Sequence, residues 1–595
     1  MPKTDVTWDL SQLFPSMDDK TIENKIKEIR ALVEDFESKY KGKITSLSSD
    51  GILECIKTLE SFESNLDDML MYAYLSFTAN MSLPKNQALY DKTSKINSEI
   101  EKRLSFFSIE LAKLVLERPE IINDKSLSNY KHRLECVERS AKHILSEKEE
   151  KLIIEKDLFG VCAWSELQGK WLNTRMFDVD VLGERKTLNY GDADGLLIHI
   201  DRKTRESANR SIYGKLKEDG EIFSSALRNI CNDWLSVSKR RNYNSAMEAS
   251  LVANDTDKKT IDSMMDVVEN STKLYQKYLI LKSKIMGLEK LGNHDIVAPL
   301  PDSENKDYTF DEAKALVTKA YEDFDADYVK ALKDVFNKNR IDAEPRFGKK
   351  NGAFCYYWYN GKSSFVLQSF TGTIKDVFTL AHELGHSTHT YYSTTNQTIM
   401  NTNVASVVAE TASIFGELLL TDILLKEAKT DKEKRDILCS VLDNDGMTAF
   451  QVSARVWFEQ SLYKAIDEGK YLDYNTICEL WTAARDRIYG DSVEWLPEME
   501  SEWAMKPHYF MANYRFYNYP YVYAKLFVYS LYQKYLEDKE GFIPKFKKAL
   551  SAGSSMSPLE IGKIFGFDVS KQEFWENGMK QFERFVSMLE EIIEK

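Results

Sequence analysis

Residues 353–386 read AFCYYWYNGKSSFVLQSFTGTIKDVFTLAHELGH, and this stretch sets the local fold more clearly than any other part of the chain. Its first half contains two runs of β-forming residues, 353–359 and 363–370, on either side of Asn360-Gly361. Because both turn residues tolerate positive φ, an Asn-Gly pair between two such runs is a strong hairpin signal. The sequence therefore predicts a β-hairpin here.

The second half of the stretch predicts a helix that carries two histidines. Thr373, followed three residues later by Asp376, is typical of a helix N-terminal cap. His382 and His386 are four residues apart and share a helix face, so both imidazoles can bind one Zn²⁺ ion. Glu383 is offset by about 100° around the helix. We expect it to approach a metal-bound water as a general base without being a ligand itself.

A catalytic zinc site needs a third protein ligand and an open position for water. Glu410 follows His386 by 24 residues and lies in an apolar run that predicts a second helix, with residues 394–403 as a loop between the two helices. A buried carboxylate is costly unless a cation accompanies it. The sequence therefore predicts one Zn²⁺ per chain, held by His382, His386 and Glu410.

Two nearby residues leave alternatives open. His389 lies one turn beyond His386, but three ligands on one helix would spread over too much arc and rise for one tetrahedral site. We expect it to support the ligands from outside or to be exposed. Glu417 lies on nearly the same helix face as Glu410, and it either orients a ligand imidazole or is solvated. The simplest alternative is an ordinary helix with two histidines and no metal.

Residues 507–523 contain six tyrosines and one histidine. This number of phenols is more than a core needs, because each buried hydroxyl requires a partner. Hydrolysis of an amide builds a tetrahedral oxyanion, and a tyrosine hydroxyl or an imidazolium is a suitable donor to it. The alternative is an aromatic core layer whose hydroxyls reach the surface.

Amphipathic helix is the predicted structure of most of the chain, and only 12 Pro and 25 Gly interrupt it. Apolar residues recur at helical spacing in three stretches. They are Ile22, Ile26, Ile29, Val33 and Phe36; Ile52, Ile56, Leu59, Leu66 and Met69; and Met579, Phe582, Val586, Leu589 and Ile593. We expect these residues to form core. No linker marks a boundary, and we predict an N-terminal helical domain at 1–200 and a catalytic domain at 201–595.

The net charge is −14 and the sequence has no long basic run, so we expect no extended basic face for nucleic acid. Seven scattered cysteines without a CxxC pair predict reduced thiols. Residues 1–8 lack a signal-peptide pattern, and no apolar run is long enough to span a membrane. We therefore expect a cytoplasmic protein with no membrane or nucleic-acid partner. The oligomeric state is unknown from the sequence.

Three segments carry a resemblance to a known family. Residues 369–386 resemble the signature of the oligoendopeptidase F group, within the thimet oligopeptidase family of zinc metallopeptidases. Residues 516–521 resemble its C-terminal block and residues 8–11 its opening. The resemblance implies a mainly α fold of two helical lobes that enclose a deep substrate channel, with a small β-sheet beside the zinc-binding helices.

The resemblance also implies roles for individual residues. It gives the metal ligands and Glu383 the roles predicted above, and it makes His508 an oxyanion donor. Among the tyrosines, it favours Tyr514 and Tyr521 over Tyr517. The stretch from Arg455 to Glu459 resembles a further shared segment.

The predicted function is a zinc-dependent endopeptidase that hydrolyses internal bonds of short, unstructured peptides. We expect the substrate to lie extended along residues 363–370 and to add to the edge of that strand through main-chain hydrogen bonds. Two alternatives remain: a zinc carboxypeptidase or dipeptidase on a similar helical channel, and a peptide-binding scaffold without catalysis.

Overall fold

The computed structural model describes residues 4–17, 20–303 and 306–595, so residues 1–3 of the N-terminal stretch considered above lie outside it. Helices dominate these residues. They are α1 (Lys20–Tyr40), α2 (Ser49–Ala79), α3 (Pro84–Glu117), α4 (Lys131–Ala141), α5 (Glu147–Phe159), α6 (Val161–Thr174), α7 (Tyr190–Gly195), α8 (Arg202–Glu218), α9 (Gly220–Arg240), α10 (Glu248–Ala253), α11 (Lys258–Asn270), α12 (Thr272–Ile285), α13 (Phe310–Phe324), α14 (Lys330–Asn337), α15 (Ile374–Asn396), α16 (Ser406–Ala409), α17 (Thr411–Glu427), α18 (Asp431–Asp445), α19 (Val452–Asp467), α20 (Tyr474–Tyr489), α21 (Tyr519–Glu537), α22 (Lys539–Ser551), α23 (Pro558–Ile564) and α24 (Gln572–Ile593).

Three small sheets accompany the helices. Two are two-stranded: β1 (Met176–Val181) pairs antiparallel with β2 (Glu184–Asn189), and β3 (Leu291–Gly292) pairs parallel with β7 (Val493–Glu494). The third has the order β4-β6-β5, formed by β4 (Ile341–Asp342), β5 (Phe354–Trp358) and β6 (Ser363–Leu367). The predicted mainly α fold with a small sheet before the histidine helix is confirmed.

The chain forms two compact units, each built from three separate segments. The first unit contains Met1–Lys142, Asn305–Lys426 and Lys534–Phe567, and the second contains His143–Glu304, Glu427–Gln533 and Asp568–Lys595. Neither unit has a boundary at residue 200, and the domain division at that point stays a prediction.

The apolar stripes read from the sequence lie where helix periodicity puts them. All five named residues of the first stripe are buried on α1, and all five of the second are buried on α2. In the first unit these two helices share one core with α3 and α4, in which Phe36, Phe62 and Phe106 meet. On α24 the first four residues of the third stripe are buried, and Ile593 at the helix end is half-buried.

The predicted hairpin is present, but its turn works differently from the expectation. Strands β5 and β6 pair antiparallel, with Tyr356 opposite Phe365. The residue with positive φ in the turn is Lys362, at 47°. Gly361 is required for space, since a Cβ there would lie 2.1 Å from the ring of Trp358. The glycine thus lets the indole fold over the turn.

The expectation that a peptide adds to the edge of the strand at 363–370 is wrong. This strand is the central one of its sheet: β5 lies on one side, and the backbone N–H groups of Val366, Gln368 and Phe370 donate to the segment of Arg340 to Ala343 on the other. Among the described residues, β5 has a paired neighbour on one side only. The outer strands of the sheet are therefore β4 and β5, of which β5 is the longer.

No helix of the described residues is both long and apolar enough to cross a membrane.

Candidate active site

Helix α15 carries both predicted histidine ligands, and its start is held by the cap read from the sequence. The Thr373 hydroxyl accepts the Asp376 backbone N–H at 3.3 Å, and the Asp376 carboxylate accepts the backbone N–H of Thr371 and Thr373 at 2.9 and 3.0 Å. The helix continues to Asn396 and so includes the first three residues of the predicted loop. This cap fixes the direction in which the chain leaves the sheet and enters α15.

Helices α15 and α17 approach each other closely at two glycines. A Cβ on Gly385 would lie 2.4 Å from Cα of Ser413 and 2.5 Å from the carbonyl oxygen of Ala412. A Cβ on Gly416 would lie 1.9 Å from the hydroxyl of Tyr321, which donates to the Ala381 carbonyl at 2.7 Å. Gly385 therefore allows backbone-to-backbone contact between the start of α17 and the middle of α15, and Gly416 leaves room for the Tyr321 hydroxyl.

The close approach joins the three predicted ligands. Glu410 lies at the junction of α16 and α17, and its Oε2 atom is 3.3 Å from Nε2 of His382 and 3.2 Å from Nε2 of His386. The two imidazole rings are nearly perpendicular, at 83°. All three side chains are partly exposed, between 25% and 35%. The structure thus brings one carboxylate oxygen and two imidazole nitrogens together at a solvent-accessible point.

These distances fit a shared metal ion. Two atoms that bind one zinc ion at about 2.0–2.1 Å in a tetrahedral site lie about 3.3–3.4 Å apart. The electrostatics agree: burial opposes the charged form of His382, but hydrogen bonds to Glu410 and Glu417 raise its pKa to about 10. Burial likewise opposes the charge on Glu410, yet the two imidazoles hold its pKa far below its usual range. The negative charges of Glu410 and Glu417 thus favour positive charge among these atoms, and a metal ion bound here would replace the proton on Nε2 of His382.

Two further side chains orient two of the three ligands, His382 and Glu410. The Nδ1 atom of His382 lies 2.6 Å from Oε1 of Glu417. Since a carboxylate can only accept, Nδ1 carries the hydrogen, and in the neutral imidazole the lone pair is left on Nε2. The Ser413 hydroxyl donates to Oε2 of Glu410 at 2.6 Å. Of the two alternatives for Glu417, the structure favours the one in which it orients the imidazole of His382. The contact of Ser413 could not be predicted from the sequence, because a single serine carries no pattern.

Glu383 lies on α15 between the histidines in sequence and is buried, with 7% exposure. Burial raises the pKa of its carboxyl; the two imidazoles act against this shift, and the negative charges of Glu410 and Glu417 add to it. A carboxylate whose pKa is raised holds a proton more readily than an ordinary glutamate, which suits a group that takes up and releases protons.

His389 is buried, at 8% exposure, and lies outside the group of three ligands. Burial lowers its pKa to about 4, His386 adds to this shift, and a hydrogen bond with the backbone of Ala409 acts against it. The imidazole is therefore neutral at pH 7. Its hydrogen bond with Ala409, the residue directly before Glu410, is consistent with a role in supporting the ligands. The alternative that His389 is exposed is wrong.

The predicted oxyanion donors form one aromatic cluster within the second unit. The ring of His508 stacks on Tyr517 at 5.2 Å and meets Tyr521 edge-on at 6.3 Å, while Tyr514 and Tyr517 are 5.5 Å apart. Tyr517 and Tyr521 are 37% and 41% exposed. Burial, together with Arg455 and Lys506, lowers the pKa of His508. Its imidazole is therefore neutral at pH 7, rather than the imidazolium considered above, and still carries one N–H.

A buried ion pair holds the backbone of this cluster. Arg515 and Glu459, both almost fully buried, are 3.0 Å apart. The same carboxylate accepts the backbone N–H of Phe516 at 3.0 Å, and Phe516 has a positive φ of 56°. Arg515 also donates to the hydroxyl of Tyr463 at 2.9 Å. The ion pair thus holds Phe516, between Tyr514 and Tyr517, in an unfavourable backbone conformation with positive φ. No pattern in the sequence predicted this turn.

Comparison with known proteins gives consistent results. Residues 196–581 match the model of peptidase family M3, and residues 118–171 match a model described as oligopeptidase F. The chain is 25% identical to the oligopeptidase PepF of Bacillus subtilis, over 100% of this chain and 88% of that protein. It is 27% identical to an oligoendopeptidase F homolog of Lactococcus lactis, over 99% and 98%.

Solved structures share the fold. A protein from Chlamydophila abortus aligns with a TM-score of 0.88 at 23% identity, covering 98% of both chains. An oligoendopeptidase-F from Enterococcus faecium aligns with a TM-score of 0.69 at 24% identity, covering 97% of this chain and 99% of that one. With a family model that spans more than half of its 595 residues, the chain belongs to peptidase family M3, and it is a peptide-hydrolysing metallo-endopeptidase.

Proposed function

We propose that the protein is a zinc-dependent endopeptidase that cleaves internal bonds of short, unstructured peptides. The observation that carries this proposal is the convergence of His382, His386 and Glu410. The Oε2 atom of Glu410 is 3.3 Å from Nε2 of His382 and 3.2 Å from Nε2 of His386. Two imidazoles and a carboxylate are the donor set of many catalytic zinc sites. The names of the Bacillus and Lactococcus relatives, an oligopeptidase and an oligoendopeptidase, support short peptides as substrates.

One zinc ion per chain would be held by His382, His386 and Glu410, with Glu417 orienting the first imidazole. When bound, the ion supplies Lewis acidity to the substrate carbonyl and to the attacking water. Glu383 takes the proton from that water and delivers it to the amine of the leaving peptide. Its buried carboxyl, with a raised pKa, suits both directions of transfer.

The charge that develops on the carbonyl oxygen is stabilised by hydrogen-bond donors that carry no negative charge. We assign this role to His508, Tyr514 and Tyr521. The support is their chemistry, because each offers an N–H or O–H without bringing a negative charge. All three pack against Tyr517 in one cluster.

The substrate main chain would pair with β5 rather than with β6. An extended peptide can use the N–H and C=O groups on the open edge of a strand, and such bonds are indifferent to side chains. Substrates methylated at single backbone nitrogens should therefore lose affinity at every second position near the cut. Equal tolerance of methylation at all positions would contradict pairing with β5.

We also propose a cytoplasmic location. All seven cysteines are free thiols, which is typical of a chain that folds in a reducing compartment. Fractionation of cells with an antibody against the protein tests this, and recovery from the extracellular medium alone would overturn it.

The role of Glu383 is tested by Glu383→Gln, which keeps the size of the side chain and removes the proton acceptor. Turnover of a quenched peptide should fall at least a hundredfold, while metal analysis should still find one zinc per chain. The matched control is Glu479→Gln on the exposed face of α20, which should change neither quantity. Wild-type turnover by Glu383→Gln would refute the role.

Zinc dependence and the endopeptidase mode are tested with peptides blocked at both ends. Product masses should report internal cuts, which disappear after chelation and return on addition of zinc. Strict release of one or two residues from a free terminus would favour the carboxypeptidase or dipeptidase alternative. Unchanged cleavage after complete removal of metal would overturn the proposal.

A further inference from the structure

Asn254 lies in the second unit, directly after α10, and its side chain contacts the hydroxyl of Tyr514. Its Nδ2 atom is 2.8 Å from that hydroxyl and 2.9 Å from the carbonyl oxygen of Ser250. Asn254 is 1% exposed, so water does not compete for its amide. The buried amide of Asn254 therefore forms a hydrogen bond with Tyr514, one of the tyrosines proposed above as oxyanion donors.

The direction of this hydrogen bond follows from the contact with Ser250. A backbone carbonyl can only accept, so the amide group that faces Ser250 must be the nitrogen, and the orientation of the Asn254 amide is settled. One of the two amide hydrogens goes to Ser250. The other goes to Tyr514, whose oxygen is nearer than the hydroxyl of Tyr519 at 3.1 Å. The Tyr519 hydroxyl in turn donates to the same Ser250 carbonyl at 3.0 Å.

The consequence concerns the proton of Tyr514. Because the phenol oxygen accepts a hydrogen bond from Asn254, its own O–H is directed elsewhere. A hydroxyl that accepts a hydrogen bond also becomes a stronger donor, since neighbouring hydrogen bonds polarise one another. We propose that Asn254 is a positioning residue that orients the Tyr514 hydroxyl as a donor toward the substrate oxyanion. This inference rests on the proposed function of Tyr514.

The sharpest test is Asn254→Asp, which keeps the size of the side chain but replaces the donor by an acceptor. A carboxylate at this position would accept a hydrogen bond from the Tyr514 O–H and so turn it away from the substrate. Because the oxyanion forms only in the transition state, kcat should fall at least tenfold while KM stays within about twofold of wild type. Asn254→Ala, which removes the donor without adding charge, should show the same split.

Two further variants separate this role from packing. Tyr519→Phe removes a hydroxyl from the same network but leaves the contact of Asn254 with Tyr514, so its kcat should stay within about twofold of wild type. Tyr514→Phe should lower kcat by about 100- to 1,000-fold. Adding Asn254→Asp to Tyr514→Phe should change kcat no further, because the group that Asn254 orients is already absent.

Each outcome bears on one idea. If Tyr514→Phe is slow and Asn254→Asp is as fast as wild type, the role of Asn254 is refuted and the proposed function stands. If Tyr514→Phe itself is as fast as wild type, the donor role of Tyr514 is refuted, and with it the basis of this inference. If Tyr519→Phe is as slow as Asn254→Asp, or if neither Asn254 variant folds, Asn254 supports the local structure only, and the proposal is overturned.

Discussion

Replacing Gly385 by Ala should destroy the metal site without touching any ligand. The added Cβ would lie 2.4 Å from Cα of Ser413 and 2.5 Å from the carbonyl oxygen of Ala412. Carbon atoms in contact normally stay about 3.5–4.0 Å apart, so α15 and α17 must separate by about 1 Å. Both near atoms belong to the backbone, and no side-chain rotation can relieve the clash.

The separation acts directly on the distances between ligands. The two gaps between Glu410 and the imidazoles, now 3.2 and 3.3 Å, would open to about 4.2–4.3 Å. Two bonds of about 2.1 Å span that distance only in a straight line, which a tetrahedral ion does not allow. Glu410 is then lost as a ligand. Removing a group that only hydrogen-bonds to a metal ligand lowers metal affinity by about 10- to 100-fold. Losing a ligand itself should therefore lower zinc affinity by more than about 100-fold.

The measurement is zinc affinity by competition with a chelator, together with metal content after dialysis. Gly169→Ala is the matched control: Gly169 lies within α6, and a Cβ there meets no atom within 4 Å. The control should bind zinc like wild type and gain up to about 1 kcal/mol in stability from helix propensity. A Gly385→Ala protein with wild-type zinc affinity would refute the argument that the glycine sets the distances between ligands.

Three other variants test separate parts of the structure. Glu417→Gln should weaken zinc binding about 10- to 100-fold, because the charged partner of His382 is lost; unchanged chelator competition would contradict this. Glu459→Ala leaves the buried Arg515 without its counterion and should lower the free energy of urea unfolding by about 3–5 kcal/mol, whereas Glu479→Ala, an exposed control, should change it by less than about 0.5 kcal/mol. His389 has a pKa of about 4 in the folded protein and an ordinary value of 6.5 in the unfolded chain, so the unfolded chain binds the proton first as pH falls. The free energy of unfolding should therefore decrease between pH 6.5 and 4, by up to about 3 kcal/mol. His389→Asn should flatten this part of the stability–pH curve, and an equally steep curve would exclude His389 as its cause.

Local sequence patterns were sufficient where one element carries the whole signal. The cap at Thr373, the helix that presents His382 and His386, and the buried stripes of α1 and α2 each follow from spacing within a single segment. Glu410 could be predicted as well, because an isolated carboxylate in an apolar run needs a nearby cation.

Pairings between distant segments could not be read in this way. Strand β4 is only two residues long, too short for a sequence pattern, yet it makes β6 the central strand and leaves β5 as the longer outer strand. The contact of Asn254 with Tyr514 joins residues 260 positions apart. Ordinary polar residues acquire such roles only through packing, which spacing along the chain does not encode.

The interleaving of the two units has a consequence for how the protein is made. The first unit needs residues up to Phe567, and the second needs the final segment from Asp568. During synthesis the ribosome must therefore release nearly the whole polypeptide before either half can complete its packing, and early helices such as α1–α4 must wait with part of their apolar surface uncovered. We expect nascent chains to depend on chaperones until the final segment from Asp568 has been made.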